Sequence, residues 1–311
     1  MNKKFILFFI IAVTFRFLIK LKNNKHLSTK IALCTMGRKE NLYSKEFIDY
    51  YIKLGVSHIF IYDHNDPYTE RIIDTVNAHY INKVTIYNCF SKKIIRQYQA
   101  FNDCYNNNKY DFDWFLMFDM DEFLFIINDT LKNYLNRKIF EKCDIINFHW
   151  VLPTDNDLLY YDKRTLFERF KKPYIKSRFI KSIIRGNITN LQYAVHSPNF
   201  SPERNITCNN EGKIINFTDY LRPFIYPINI NNAYIIHFRY KSTEEFINKY
   251  KRGYIFLKGK DKEEKIKLKL KGLIQEYFSI NHITLPKINL IEKELNLSMR
   301  EYRQMYFKNK K

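Results

Sequence analysis

A chain of 311 residues with 46% hydrophobic and 17% aromatic side chains can bury a sizeable core, which excludes a disordered chain and predicts one large domain or two small ones. The formal net charge of +20 would suit an anionic partner: nucleic acid, a membrane surface or a phosphorylated substrate. Lys, Asn, Ile, Tyr and Phe are over-used while Gly and Pro are scarce, as AT-rich coding alone produces, so the charge assigns no partner. The five cysteines (Cys34, Cys89, Cys104, Cys143, Cys208) form no Cys-x-x-Cys pair, which argues against structural zinc and leaves disulfides unassigned.

At the N-terminus, Lys3 and Lys4 precede the apolar run Phe5 to Phe15, and Arg16 interrupts it before Phe17-Leu18-Ile19. The run is short for a membrane span and close to a signal-peptide core. No small-x-small cleavage site follows, and more basic residues lie after the run than before it. The expectation is a secretory signal or uncleaved signal-anchor over residues 1–27, giving a membrane-associated or endomembrane-lumen protein (Golgi- or ER-like). A secreted or cytoplasmic membrane-bound form, and a leader buried against the domain, are the alternatives. Sequons at Asn128, Asn187, Asn199, Asn205, Asn216 and Asn296 add slight support in so Asn-rich a chain.

Ile31 to Thr35 reads as a strand, followed by a polar loop over residues 36–41. Phe47, Tyr50, Tyr51 and Leu54 fall at helical spacing, with Ser44 as N-cap and Gly55 as stop. Val56 to Tyr62 reads as a buried strand ending at Asp63-His64-Asn65-Asp66-Pro67. A helix over about Thr69 to His79, a strand at Val84 to Tyr87, a helix near Ile94 to Asn106 and a strand at Trp114 to Phe118 continue the alternation. The pattern predicts an α/β fold with a mainly parallel sheet. Further on, Asp144 to Val151, Leu166 to Phe170, Ile175 to Ile184 and Ala233 to Tyr240 read as strands, and residues 189–227 as long loops. Thr243 to Tyr250 opens a helical tail, in which Lys258 to Lys271 reads as a solvated face. The expected organisation is a leader (1–27), a main domain (28–257) and a helical C-terminal extension (258–311).

The chemistry concentrates at Trp114-Phe-Leu-Met-Phe-Asp119-Met-Asp121-Glu122-Phe123. A buried strand ends in three acids, and ligands of open α/β sheets gather at the carboxyl ends of strands. Asp119 and Asp121, two apart on extended backbone, could share one hard cation, Mn²⁺ or Mg²⁺, that also binds a diphosphate. The competing reading has the acids cap a helix or pair with nearby Lys.

The stretch from Lys45 through Leu54-Gly-Val to Tyr62-Asp63-His-Asn-Asp66 resembles glycosyltransferases of family 92 and the related family 2-like group, which have the GT-A fold. Gln97 and Gln99 before Asp119-Met-Asp121-Glu122-Phe123, then Phe148-His-Trp150, Leu166-Phe-Glu-Arg169-Phe170 and His237-Phe-Arg-Tyr-Lys241-Ser with Glu245-Phe246, match the same family in order over residues 31–253. The resemblance implies a GT-A fold, a UDP-sugar-like donor, a glycan or glycoconjugate acceptor and inversion at the anomeric carbon. It also implies that Thr35, Arg38 and Glu40 contact the nucleotide and that Asp63 faces the base or ribose. Asp119 and Asp121 would bind ribose and metal, with His237 as a third ligand. Two departures stand out: Arg38-Lys39-Glu40-Asn41 replaces the usual Asn-Glu, and Pro153-Thr-Asp-Asn-Asp157 replaces a Gly-rich segment.

Inversion needs a carboxylate to take the acceptor's proton, and Asp155 and Asp157 are the candidates. Trp150 could stack on a sugar or belong to the core. His196 could be a second site histidine or a plain loop residue. Arg169 and Lys241 could bind diphosphate, and Arg169 could instead pair with Glu122. A nucleotidyltransferase-like metal enzyme and a non-catalytic basic binding protein are the competing functions. No nucleic-acid motif is present, so no nucleic-acid partner is expected.

Overall fold

The computed structural model describes residues 29–171, 174–189, 191–194, 196–199, 205–215, 224–251 and 262–308. The leader at 1–27, the sequon at Asn216 and the boundary at 257/258 lie outside them. The strands are β1 (Ile31–Gly37), β2 (His58–Asp63), β3 (Val84–Asn88), β4 (Trp114–Met117), β5 (Glu122–Ile126), β6 (Ile145–Pro153), β7 (Tyr174–Arg185), β8 (Gln192–Tyr193), β9 (Pro198–Asn199), β10 (Thr207–Asn209) and β11 (Ala233–His237). The helices are α1 (Asn41–Leu54), α2 (Gln97–Asn108), α3 (Leu131–Leu135), α4 (Leu166–Arg169), α5 (Thr243–Lys251), α6 (Lys262–Ile280), α7 (Leu285–Leu295) and α8 (Arg300–Lys308). The mixed α/β class of the sequence reading is the observed one, with a mixed sheet, flanking helices and C-terminal helices consistent with a GT-A fold. Among the described residues no helix is long and apolar enough to cross a membrane.

The chain forms two compact units. The first holds residues up to 120, with 125–148 and 179–234; the second holds 121–124, 149–178 and 235–311. In the first unit β3, β2, β1 and β4 run parallel, and β7 joins β4 antiparallel. The register aligns Gly37 with Asp63 and Asp63 with Asn88, so three strands end level and deliver their loops to one edge. A Cβ on Gly37 would lie 2.7 Å from Ile72 Cδ1 and 2.8 Å from Met120 Sδ, so a larger residue at the end of β1 would require those two side chains to shift. The core packs Ala32, Cys34, Tyr62, Phe101, Phe115 and Met117 together. Disulfides join Cys34 to Cys104 and Cys143 to Cys208, across 70 and 65 residues.

In the second unit the ends of β6 and β11 pair in parallel, Trp150 opposite Ile235 and Val151 opposite Ile236. Its core lies among the C-terminal helices: Tyr240, Phe246, Ile274, Tyr277, Ile288 and Ile291.

Several elements differ from the sequence reading. The first helix starts at Asn41 with Glu40 as N-cap, because Ser44 donates to the Asn41 carbonyl instead of capping a later start. Gly55, at φ 107°, ends it as expected. Residues 69–79 form two 3₁₀ turns, Ile72–Thr75 and Ala78–Lys83. Val76 is extended between them, and the Asn77 side chain caps the second turn through the His79 N–H. Leu166–Arg169 is a helical turn rather than a strand, set by the reciprocal capping box of Thr165 and Glu168. The strand at Glu122–Ile126 follows the acids directly and was not expected from sequence.

Candidate functional site

In the first unit, the loops after β1 and β2 hold each other. Lys39 N donates to Asn65 Oδ1 at 2.6 Å, and Asn65 Nδ2 donates to Asn41 Oδ1 at 2.9 Å and to the Glu70 carbonyl at 3.0 Å. Lys39 adopts φ 54°, a left-handed backbone that a non-glycine residue keeps only when its surroundings impose it. Arg38 pairs with Asp66 at 2.9 Å. Asp63 accepts the N–H groups of Asn65 and Ile72, both at 3.0 Å, so its carboxylate secures the 65–72 loop. Among the described residues the buried Thr35 hydroxyl has no hydrogen-bond partner, and Glu40 caps α1 through its carbonyl.

Asp119, just beyond β4, accepts a hydrogen bond from Gln97 on α2 and one from Lys181 Nζ on β7 at 2.9 Å. The Lys181 side chain is fully buried while Asp119 is 28% exposed. This carboxylate is therefore held by two donors while part of its surface stays exposed.

In the second unit, Asp121 and His237 come together. Asp121 Oδ1 lies 3.3 Å from His237 Nε2, and Oδ2 lies 2.9 Å from Lys249 Nζ on α5. The Phe238 N–H donates to the Asp121 carbonyl at 2.8 Å, locking the two segments in register. Burial pushes the Asp121 carboxyl up, but Lys249 and His237 outweigh it and hold the group well below the ordinary range. Burial lowers the His237 imidazole, against the opposing pull of Asp121. Holding the imidazole below its ordinary value favours its neutral form, the form that binds metals. Its Nδ1 is buried, 3.9 Å from Glu122 Oε1, without a hydrogen-bond partner among the described residues. Trp150 is buried with its ring centroid 4.4 Å from that of His237 at 70°, so it backs the imidazole and does not present a face to solvent.

Among the described residues no three His, Cys, Asp or Glu side chains converge to hold a metal. A carboxylate and a neutral imidazole 3.3 Å apart nevertheless fit Mn²⁺ or Mg²⁺, which bind through few protein ligands and take the rest from substrate phosphate and water.

Asp155 and Asp157 follow β6. Asp155 is enclosed: Tyr277 donates to it, Lys287 Nζ lies 2.8 Å away, and its own N–H donates to Asn281 Oδ1 at 2.6 Å. Asp157, whose side chain is 53% exposed, accepts from Lys287 at 2.7 Å and meets His282 at 3.1 Å. Burial raises its carboxyl, but these hydrogen bonds prevail and lower it. Arg169 pairs with Glu245 at 2.7 Å, replacing the expected partner Glu122. A cavity of about 920 Å³ between α6 and α8 has one acid, Glu301, and no histidine in its lining; it offers none of this chemistry.

A family model for glycosyltransferase family 92 matches residues 30–272. The chain belongs to that family. It is also similar to a glycosyltransferase family 92 protein of rice (Oryza sativa subsp. japonica), 30% identical over 120 residues, which are 36% of this chain and 20% of the rice protein. The chain thus matches about a fifth of that relative's length.

Three lysines of this family 92 chain, Lys181, Lys249 and Lys287, were missed from sequence, because nothing separates them from the other basic residues in a chain with 52 Lys and Arg. The turn at Asp63 was within reach: an Asp whose carboxylate accepts the N–H two residues on, here that of Asn65, is a pattern that ties a turn.

Proposed function

We propose that this chain transfers a glycosyl group from a nucleotide-sugar, a UDP-sugar first, to a hydroxyl of a glycan or glycoconjugate, with Mn²⁺ or Mg²⁺ held by Asp121 and His237. The observation that carries the reading is the Asp121–His237 pair, 3.3 Å apart, in a family 92 chain. The bound cation would offset charge on the diphosphate as the sugar–phosphate bond breaks. Asp119, fixed by Gln97 and Lys181, binds the nucleotide ribose in this reading. The Lys39–Asn65 and Arg38–Asp66 contacts shape the loop that receives the nucleotide.

The acceptor oxygen attacks the anomeric carbon, the bond to the diphosphate breaks, and a carboxylate takes the hydroxyl proton; the configuration inverts. Asp155 is enclosed and fully engaged, so Asp157, half-exposed at the same loop, is the base in this reading. It places the enzyme among the hexosyltransferases. Two disulfides support a lumenal, oxidising location, with the N-terminal leader supplying entry and membrane association.

The test is a donor panel with the full chain: UDP-, GDP- and CMP-sugars alongside nucleoside triphosphates, with Mn²⁺ and with chelator. Turnover of a nucleotide-sugar that chelator and Asp121→Asn both abolish is expected. No turnover of any nucleotide-sugar, or turnover indifferent to both, overturns the reading.

A further inference from the structure

The side chains that bond Asp155 and Asp157 are Tyr277, Asn281, His282 and Lys287. All four lie beyond residue 272, where the family match ends. The C-terminal helices therefore reach back to a loop of the matched region.

Lys287, at the start of α7, has no exposed side-chain surface. An ammonium group has three protons to donate, and here each has an acceptor: Asp155 Oδ1 at 2.9 Å, Asp157 Oδ1 at 2.7 Å and the His282 carbonyl at 3.1 Å. Replacing such a buried pair with apolar side chains is often no less stable, so stability alone is a weak reason to have it. Geometry is a stronger one. Asn156 and Asp157 sit at φ 48° and 57°, two successive left-handed residues that are not glycine. That backbone needs external restraint. Asp155 supplies part of it by accepting the Asp157 N–H at 2.9 Å, and Lys287 grips both carboxylates.

The restraint is passed on. The Leu158 carbonyl accepts the Thr243 N–H at 3.0 Å and the Leu159 carbonyl accepts the Glu244 N–H at 2.8 Å, so the loop caps the first turn of α5. Tyr277 meets the Thr243 hydroxyl at 2.9 Å and stacks on Phe246 at 4.2 Å. Helix α5 in turn carries Lys249 to Asp121.

We propose that Lys287 is a positioning residue: through it the C-terminal helices set the loop at 153–158, and so the placement of Asp157 and of α5. The proposal rests on the reading of Asp157 as base. It makes the tail, which lies past the family match, part of the catalytic unit.

The test compares the full chain with Lys287→Met and Lys287→Arg. Hydrogen exchange is read without substrate, at residues 153–160 and, for reference, at 114–118. Donor hydrolysis by water is then followed against pH with UDP-glucose, UDP-galactose or UDP-N-acetylglucosamine, whichever the wild type turns over. In Lys287→Met, exchange at 153–160 rises at least about tenfold more than exchange at 114–118. kcat falls about tenfold with donor KM unchanged, and its acid limb moves to higher pH because Asp157 loses its ammonium partner. Lys287→Arg keeps the limb in place. Should Lys287→Met not fold, the pair Lys287→Met/Asp155→Asn, which removes both buried charges together, carries the same measurements. Unchanged exchange at the loop overturns the proposal. So does raised exchange with kcat and its pH limb unchanged, which would make Lys287 a staple only. A wild type that turns over no donor, yet protects the loop normally, sinks the functional reading and the catalytic part of the proposal with it.

Discussion

The second unit contains two aspartate–lysine pairs, Asp121–Lys249 and Asp155–Lys287, of nearly equal length at 2.9 and 2.8 Å. Their surroundings are opposite. Lys249 keeps 37% of its side chain exposed and Asp121 shares its carboxylate with a neutral imidazole, whereas Lys287 and Asp155 are 0% and 2% exposed and surrounded by further partners. An ammonium at the edge of water can withdraw and leave its carboxylate to a cation; one with every proton satisfied in a dry core cannot, without a large penalty. Two pairs that look alike on a contact map therefore differ in surroundings, and in the proposed reading the first serves as a site and the second as an anchor.

The sharpest way to break this contrast is Asp121→Asn. It should lower donor turnover by about 10³-fold or more, some 4 kcal/mol of transition-state stabilisation, with a loss of folding stability well below that. Equal losses of activity and stability would make Asp121 structural. Next in size, Lys287→Met should cost about 3–5 kcal/mol in denaturant unfolding by stranding a buried carboxylate, while Lys249→Met should cost less, about 1–2 kcal/mol, since the lysine ammonium reaches water. Similar values for the two would erase the distinction. Replacing Cys143 and Cys208 together by alanine should cost about 2–5 kcal/mol in denaturant unfolding, and an unfolding midpoint equal to that of the intact chain would show the bond idle.

The smallest effect expected is with pH. Folding holds His237 below its ordinary value of 6.5, and burial shifts His58 and His64 the same way. The unfolded chain then binds more protons, so this stability is present above about pH 6.5 and is lost as pH falls through the folded values. Asp121, depressed in the fold, extends the loss into the carboxylate range. Scanning fluorimetry should find a flat midpoint from pH 8 to 7 and a decline below; a midpoint that climbs on acidification would contradict the neutral imidazoles.

The alternation of apolar runs and helical spacings made the parallel strands legible, because each is buried on both faces and reads as an uninterrupted apolar stretch. Leu166 to Phe170 failed for the opposite reason: five residues carry too little periodicity, and the Thr165–Glu168 capping box decided the local structure. The acids were legible through their place at a strand end. Their neighbours were not, since Lys181, Lys249 and Lys287 come from 60 or more positions away, and no local pattern marks a lysine that folding will bury. Disulfide pairing was equally hidden: Cys34–Cys104 and Cys143–Cys208 are set by strand and helix packing and not by spacing.

The most direct measurement is calorimetric titration of Mn²⁺ into the full chain with UDP present, for the wild type, Asp121→Asn and His237→Gln. Saturable binding at one site in the wild type, weakened at least about tenfold in each variant, is the predicted result. Binding that both variants retain at full strength, or none in the wild type, would contradict a cation held by Asp121 and His237.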